Sequence, residues 1–174
     1  MATSLPRTTL SDDEILNTIE HSFRSYAFRD IVVLKDNAVP VPVAVFILCT
    51  CFIDQLAGFR YNSDRTTSRF QNFVTQYLPQ YDPIQLCDDL RNRLVHNYSV
   101  GEAYVVSDSI PSMHNRPFTP GSSTKGLDMH KFIEDLEVAF NAYMGELRSN
   151  PECRNNAILW YHRYRIIVLS QTVV

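Results

Sequence analysis

The feature that most constrains this chain is the run Val43–Ile53, in which Thr50 is the one residue that is not apolar. A run of this kind is either a buried strand or a helix hidden on every side, because periodicity alone does not separate the two. Pro40 and Pro42 stand at its entry, and the segment continues through Asp54-Gln55-Leu56-Ala57 to Gly58. Proline near a helix start and glycine past its end favour a central helix stopping at Gly58. The longest greasy stretch, Val39–Ile53, stops at Asp54 and is shorter than the roughly 18–20 residues that span a bilayer.

The segments around it read as helices able to cover it. Ser11-Asp12-Asp13-Glu14 has the form of a capping box, and Ile15, Ile19, Phe23 and Tyr26 follow at helical spacing, predicting a helix over 12–29. Residues 1–10 read as a loose tail, and the β-branched Ile31–Leu34 as a brief extended piece before a turn at Lys35-Asp36-Asn37. After a polar turn at Tyr61–Asp64, the residues Phe70, Phe73, Val74, Tyr77 and Leu78 share one helical face that Pro79 ends. Asp82-Pro83-Ile84-Gln85 starts a further helix, with Asp as N-cap and Pro in the first turn. Its expected inward stripe is Ile84, Cys87, Leu90, Leu94 and Tyr98.

Beyond Tyr98 the composition changes. Residues 99–126 form a loop or hairpin insert, in which Ala103–Val106 pairs with a stretch near Met113–Phe118 and Thr119–Gly126 is a flexible loop. Met129, Phe132, Leu136, Ala139, Tyr143 and Leu147 mark an amphipathic helix ending near Arg148. Asn150-Pro151 opens another, with Cys153, Ala157, Trp160 and Tyr164 on one face, and the tail from Ile166 reads equally as helix or strand. The expectation is one mainly α domain over 1–174, an antiparallel helical bundle with a small β-hairpin insert between its fourth and fifth helices.

At 174 residues, 45% apolar and 20% charged, the chain has ordinary globular composition. Its net charge of −3 gives no support to wholesale electrostatic binding of nucleic acid, so any RNA contact requires a local patch. Of 16 basic residues, 13 are Arg, the better phosphate fork. Cys49, Cys51, Cys87 and Cys153 lack zinc-site spacing and read as core thiols. The polar Met1–Leu10 segment has no apolar h-region, and a cytoplasmic protein without membrane attachment is expected. With five glycines and no Gly-rich phosphate loop, most of the usual nucleotide-binding loops are excluded, and no cofactor is implied.

The chemistry concentrates in Leu90-Arg91-Asn92-Arg93-Leu94-Val95-His96-Asn97-Tyr98. Arg91 and Arg93 are permanent cations, and His96 exchanges a proton near neutral pH. Asn92 and His96 lie four residues apart, so the amide can touch the imidazole and fix its tautomer. Arg91 and His96 diverge, because five residues amount to about 140° of rotation and about 7.5 Å of rise. A long Arg side chain, a local kink or a second copy of the helix across a dimer would each bring them together. A plain structural account stands beside this one. Asp88 and Asp89 are spaced to pair with Arg91 and Arg93, His96 suits a helix end, and Tyr98 suits a core. Three other features have two readings or none: His114-Asn115-Arg116 suits a phosphate contact or a polar loop, Asp54 reaches the site or caps the buried run, and His130 and His162 read as exposed histidines suggesting no metal pair.

The segment resembles the motif of HEPN proteins (higher eukaryotes and prokaryotes nucleotide-binding), R-x4-H-x-Y with a polar residue directly after the Arg. Arg91, Asn92, His96 and Tyr98 supply every element, near the end of the fourth expected helix, and the likeness covers roughly residues 12–148. It implies a metal-independent endoribonuclease acting as a homodimer on RNA, in the manner of a toxin or phage-defence effector. His96 would then deprotonate the ribose 2′-hydroxyl or protonate the leaving 5′-oxygen, and Arg91 would stabilise the pentacovalent phosphate. Asn92 would orient His96 or hold a phosphate oxygen, and Arg93 would bind substrate. Tyr98 matches the position adenylylated in toxin members paired with a nucleotidyltransferase antitoxin. Two rival readings remain open: a non-catalytic HEPN-like module binding RNA, a nucleotide or a partner protein, and a structural helical protein whose motif is accidental.

Overall fold

The computed structural model describes residues 10–164 apart from 38 and 40. Residues 1–9 of the expected tail over 1–10, and the undecided segment from Ile166, lie outside the described residues. The apolar run does form the central helix, α3 (Pro42–Tyr61), and among its residues Val45, Phe46, Cys49, Phe52, Ile53, Leu56 and Phe59 are buried. At 20 residues α3 is long and apolar enough to cross a membrane by length and composition, and in this fold 56% of its apolar window is packed inside the molecule.

Gly58 is not where α3 stops. Asn62 closes the helix instead, in the left-handed conformation at φ 45°, its N–H reaching the Gly58 carbonyl at 2.9 Å. Gly58 is small for a packing reason: a Cβ there would lie 2.7 Å from the Trp160 indole. Helix α4 (Thr66–Tyr77) and helix α8 (Pro151–Tyr164) make the most extensive contacts with α3, and α7 (Met129–Ser149) packs on it as well.

The N-terminal layer runs α1 (Asp12–Ser22), a π-helical segment Phe23–Phe28, then α2 (Arg29–Lys35). Ser11 and Glu14 make the capping box, with Ser11 N–H donating to Glu14 Oε2 at 2.7 Å. The expected extended piece at Ile31–Leu34 is helical, because Ile31 is buried against the core and packing overrides β-branched preference. Phe23 joins Phe52, Phe59 and Phe140 in edge-on aromatic contacts that tie this layer to α3 and α7.

A polar network that sequence periodicity does not announce locks the far end of α3. Arg60, only 8% exposed, donates to Glu146 at 2.9 Å and to the Tyr77 hydroxyl at 3.0 Å. Glu146 also accepts from Gln76 and Asn150, so α3, α4, α7 and the start of α8 share one satisfied cluster. A buried guanidinium requires such pairing.

The motif helix starts where Asp82 caps the amides of Ile84 and Gln85, both at 2.9 Å. It passes through α5 (Pro83–Gln85), a π-helical segment Leu86–Asn92 and α6 (Arg93–Asn97). Its buried stripe is Leu86, Cys87, Leu90 and Leu94. Ile84 and Tyr98, expected inward, are 60% and 68% exposed. Ile84 belongs to the first turn, ahead of the packed segment, and Tyr98 has left the helix at φ 53°.

The insert is not a hairpin. Strand β1 (Tyr104–Ser107) pairs in parallel with β2 (Lys125–Asp128), the order Tyr104–Lys125 to Ser107–Asp128. A parallel pair needs a long return connection, which residues 108–124 supply. The segment near His114 and Pro117 makes only single bridges to Gly126 and Lys125. Gly126 allows that approach, since a Cβ there would stand 2.8 Å from the Met113 carbonyl oxygen. The Thr119–Gly126 stretch is pinned rather than a free loop: Phe118 N–H donates to the Thr124 carbonyl at 2.8 Å, and the Thr124 hydroxyl to Glu102 at 2.9 Å.

Candidate functional site

The motif residues divide between two surroundings. Arg91, at the end of the π-helical segment, turns toward α3 and directs Nε to Asp54 Oδ2 at 2.8 Å, with Nη2 on the same oxygen. Its Nη1 donates to Asn92 Oδ1 at 2.6 Å, and Asn92 Nδ2 donates to Asp88 at 3.2 Å. Asp54 therefore reaches the motif, and Arg91 pairs with it rather than with Asp88. The Asn92 amide is spent on Arg91 and Asp88, so the expected contact with His96 is not made. A π-helical segment carries i→i+5 hydrogen bonds and often marks a functional position.

Arg93, His96 and Tyr98 face solvent. Among the described residues none of their side chains has a hydrogen-bond or ion-pair partner. The expected Asp89 partner of Arg93 is engaged elsewhere, accepting from the Ala103 amide at 3.2 Å and folding over Gly101. Tyr98 is not core: it forms the left-handed C-cap of α6, its N–H bonding the Leu94 carbonyl at 3.1 Å and its ring exposed. The structure thus brings Arg91, Asn92 and Asp54 together and leaves Arg93, His96 and Tyr98 as an open surface at the helix end.

Beside Arg91 a cleft of about 650 Å³ opens between α3, α4 and α8. Asp54, Arg69, Arg91, Trp160, Arg163 and Tyr164 line it, and none of the exposed trio does. Arg69 Nη2 stands 3.9 Å from Asp54 Oδ1, and its guanidinium lies 4.9 Å from the Trp160 ring centroid. Arg163 pairs with Asp64 at 2.6 Å, and the Tyr164 hydroxyl donates to the same carboxylate at 2.7 Å, holding the Asp64 carboxyl below its ordinary value through these bonds. Cys51, expected in the core, is exposed on the cleft wall. Its position on α3 faces the cleft rather than a helix, whereas Cys49, Cys87 and Cys153 are buried as expected. Burial, then the Asp54 charge, raise the Cys51 thiol, with Arg91 pulling the other way.

His114 and Asn115 serve the insert. His114 Nδ1 accepts the Asp128 amide at 3.1 Å, which places its proton on Nε2, toward the Tyr81 hydroxyl at 2.7 Å. Tyr81 donates onward to Asp135 at 2.6 Å, and Asn115 Nδ2 to the Gln80 carbonyl at 2.7 Å. This accounts for them as the polar-loop reading does. His130 and His162 are exposed, and among the described residues no three His, Cys, Asp or Glu side chains converge as a ligand set. Arginines 69 and 163 were missed as site residues. Packing of α4 and of α8 on α3 brings Arg69 and Arg163, respectively, to Arg91, and no local spacing encodes that.

No protein-family model, no curated protein and no solved structure matches this chain.

Proposed function

We propose that the protein is a metal-independent, HEPN-type endoribonuclease acting as a homodimer in the cytoplasm, with Arg91, Asn92, Arg93 and His96 as its working residues. The observation that carries this reading is the arrangement of the motif helix end: Arg93 and His96 stand exposed and without partners among the described residues, on the same helix as an Arg91 hydrogen-bonded to Asp54 and Asn92. A proton-transfer group and an unpaired cation on an open helix end suit transesterification of an RNA phosphate, which needs a base, an acid and charge stabilisation.

In this mechanism one His96 removes the proton of a ribose 2′-hydroxyl, whose oxygen attacks the adjacent phosphorus. The P–O5′ bond breaks, and a second acid, His96 of the other copy, protonates the departing oxygen. The products are a 2′,3′-cyclic phosphate and a 5′-hydroxyl. Arg91 uses three of its five N–H groups on Asp54 and Asn92, so two remain for a phosphate oxygen. Two chains related by a two-fold axis supply two such helix ends, because a single chain turns Arg91 and His96 toward different surroundings. The exposed Tyr98 hydroxyl is open to adenylylation by a nucleotidyltransferase antitoxin.

The test is cleavage of a single-stranded RNA in EDTA with end-group analysis, run beside light scattering. Cyclic-phosphate ends from a dimeric protein support the reading. Cleavage lost on chelation and restored by magnesium overturns it, as does a monomer at tens of micromolar. The pairing of Arg91 with Asp54 favours a second reading, a non-catalytic HEPN-like module binding RNA, a nucleotide or a partner protein, because the carboxylate opposes the cation catalysis would use. No cleavage with retained RNA binding would decide for it.

A further inference from the structure

We propose that the cleft between α3, α4 and α8 binds a nucleotide, through an anion site that works independently of His96. The argument begins with charge. Three guanidiniums, those of Arg69, Arg91 and Arg163, line the cleft against two carboxylates, those of Asp54 and Asp64. Asp64 is taken by Arg163 and Tyr164, and Asp54 gives both its short contacts to Arg91 through Oδ2. Arg69 is the cation left over.

Arg69 is also largely enclosed, its side chain 14% exposed. Its Nη1 donates to the Ser63 carbonyl at 2.8 Å, its Nη2 stays 3.9 Å from Asp54 Oδ1, and among the described residues its Nε has no partner. Asp54 Oδ1 likewise has no hydrogen bond among them. An enclosed charge without a full partner is costly, and an anion in the cleft removes the cost. Arginine forks match phosphate oxygens.

Size and lining extend the ligand beyond a bare phosphate. About 650 Å³ lies within the range of small-molecule sites. Tyr164, 46% exposed, offers aromatic surface, and the remaining lone pairs of the two carboxylates accept from hydroxyl or amino groups. A phosphate joined to a hydroxyl-bearing sugar and a flat base meets all three, either as a free nucleotide or as one residue of an RNA strand. Arg91 is shared with the proposed ribonuclease site, but His96 does not line the cleft, so the two proposals fail separately.

The experiment is calorimetric titration of the full chain with adenosine 5′-monophosphate, adenosine and a short single-stranded RNA. The monophosphate is expected to bind at least about tenfold more tightly than adenosine, and Arg69→Gln to weaken it by roughly tenfold or more, as loss of a charged hydrogen bond does. His96→Ala is expected to bind unchanged even if it cleaves no RNA. RNA that displaces the monophosphate makes the occupant a nucleotide of a strand, and RNA that does not makes it free nucleotide. Should Arg69→Gln fail to fold, Arg69→Lys, which keeps the charge and loses the planar fork, is expected to bind the monophosphate more weakly than the parent. Absence of monophosphate binding, or equal affinities in the parent and the Arg69 variants, overturns the proposal.

Discussion

Arg91 and Asp54 are joined across two helices, Nε and Nη2 of the guanidinium converging on one carboxylate oxygen. Both side chains are mostly enclosed, at 16% and 17% exposure. Removing the carboxylate therefore strands a cation in the wall of the cleft. Asp54→Ala is expected to destabilise by about 2 kcal/mol, the size of a charged hydrogen bond lost with its partner left behind. For a chain of this length that lowers Tm by about 4–8 °C. The double variant Asp54→Ala/Arg91→Leu should recover part of the loss, and a thermal melt of all three proteins checks it. An Asp54→Ala melt equal to that of the parent would show the pair to be structurally idle.

How much of this was legible beforehand depends on whether local pattern or long-range packing fixes an element. The capping box at Ser11 and the Asp82 cap appear where spacing places them, because a cap is a contact over two or three residues. The amphipathic stripe of α7 is equally local. Ile31–Leu34 misleads because a buried helical face outweighs β-branching, and the insert misleads because a parallel pair is set by a return segment rather than by a turn. The motif was readable as Arg91 to Tyr98, and helical rotation already turned Arg91 away from His96. Which way Arg91 turns depends on Asp54, distant in sequence, and the cleft depends on where α8 crosses α3.

Gly58 gives a second test of packing against propensity. Alanine is the better helix former by about 1 kcal/mol, and in an unpacked helix Gly58→Ala would stabilise. Here the new methyl would meet Trp160 at 2.7 Å, with Phe59 and Ala57 buried on either side. Overpacking costs about 1–3 kcal/mol, so a net loss is expected, seen as a Tm lowered by a few degrees. A higher Tm would show that the indole gives way freely.

Thiol chemistry reads the cleft directly. Cys51 is exposed, while Cys49, Cys87 and Cys153 are buried, so a thiol reagent should modify one of the four in the native protein and all four after denaturation. Because burial and Asp54 raise the Cys51 thiol, its thiolate fraction at neutral pH lies below that of an ordinary cysteine. Labelling should then be slow near pH 7 and accelerate as pH rises, since the thiolate is the reacting species. Cys87, pushed up to about 11 mainly by burial, should stay silent throughout that range. Rapid labelling at pH 7, or modification of a second cysteine, would contradict the placement of these residues.

The exposed end of the motif helix supplies the sharpest contrast, between His96 and its neighbours. His96 has no partner among the described residues and no share in the buried stripe of Leu86, Cys87, Leu90 and Leu94. His96→Ala should therefore change stability by no more than about 0.5 kcal/mol. If His96 is the proton-transfer group, RNA cleavage should fall by about 10²- to 10⁴-fold. Arg93, equally exposed, should behave as a binding cation: Arg93→Ala weakens RNA binding and steepens no thermal transition, with a smaller effect on turnover. Arg91→Ala should differ from both by losing stability along with activity, because it removes both hydrogen bonds to Asp54 Oδ2 and leaves only the longer contact with Arg69. Cleavage rate, RNA affinity and Tm measured together on the three variants give three distinct signatures. Normal cleavage by His96→Ala at an unchanged Tm would make the motif a coincidence of spacing, and a Tm lowered by many degrees would make the histidine structural.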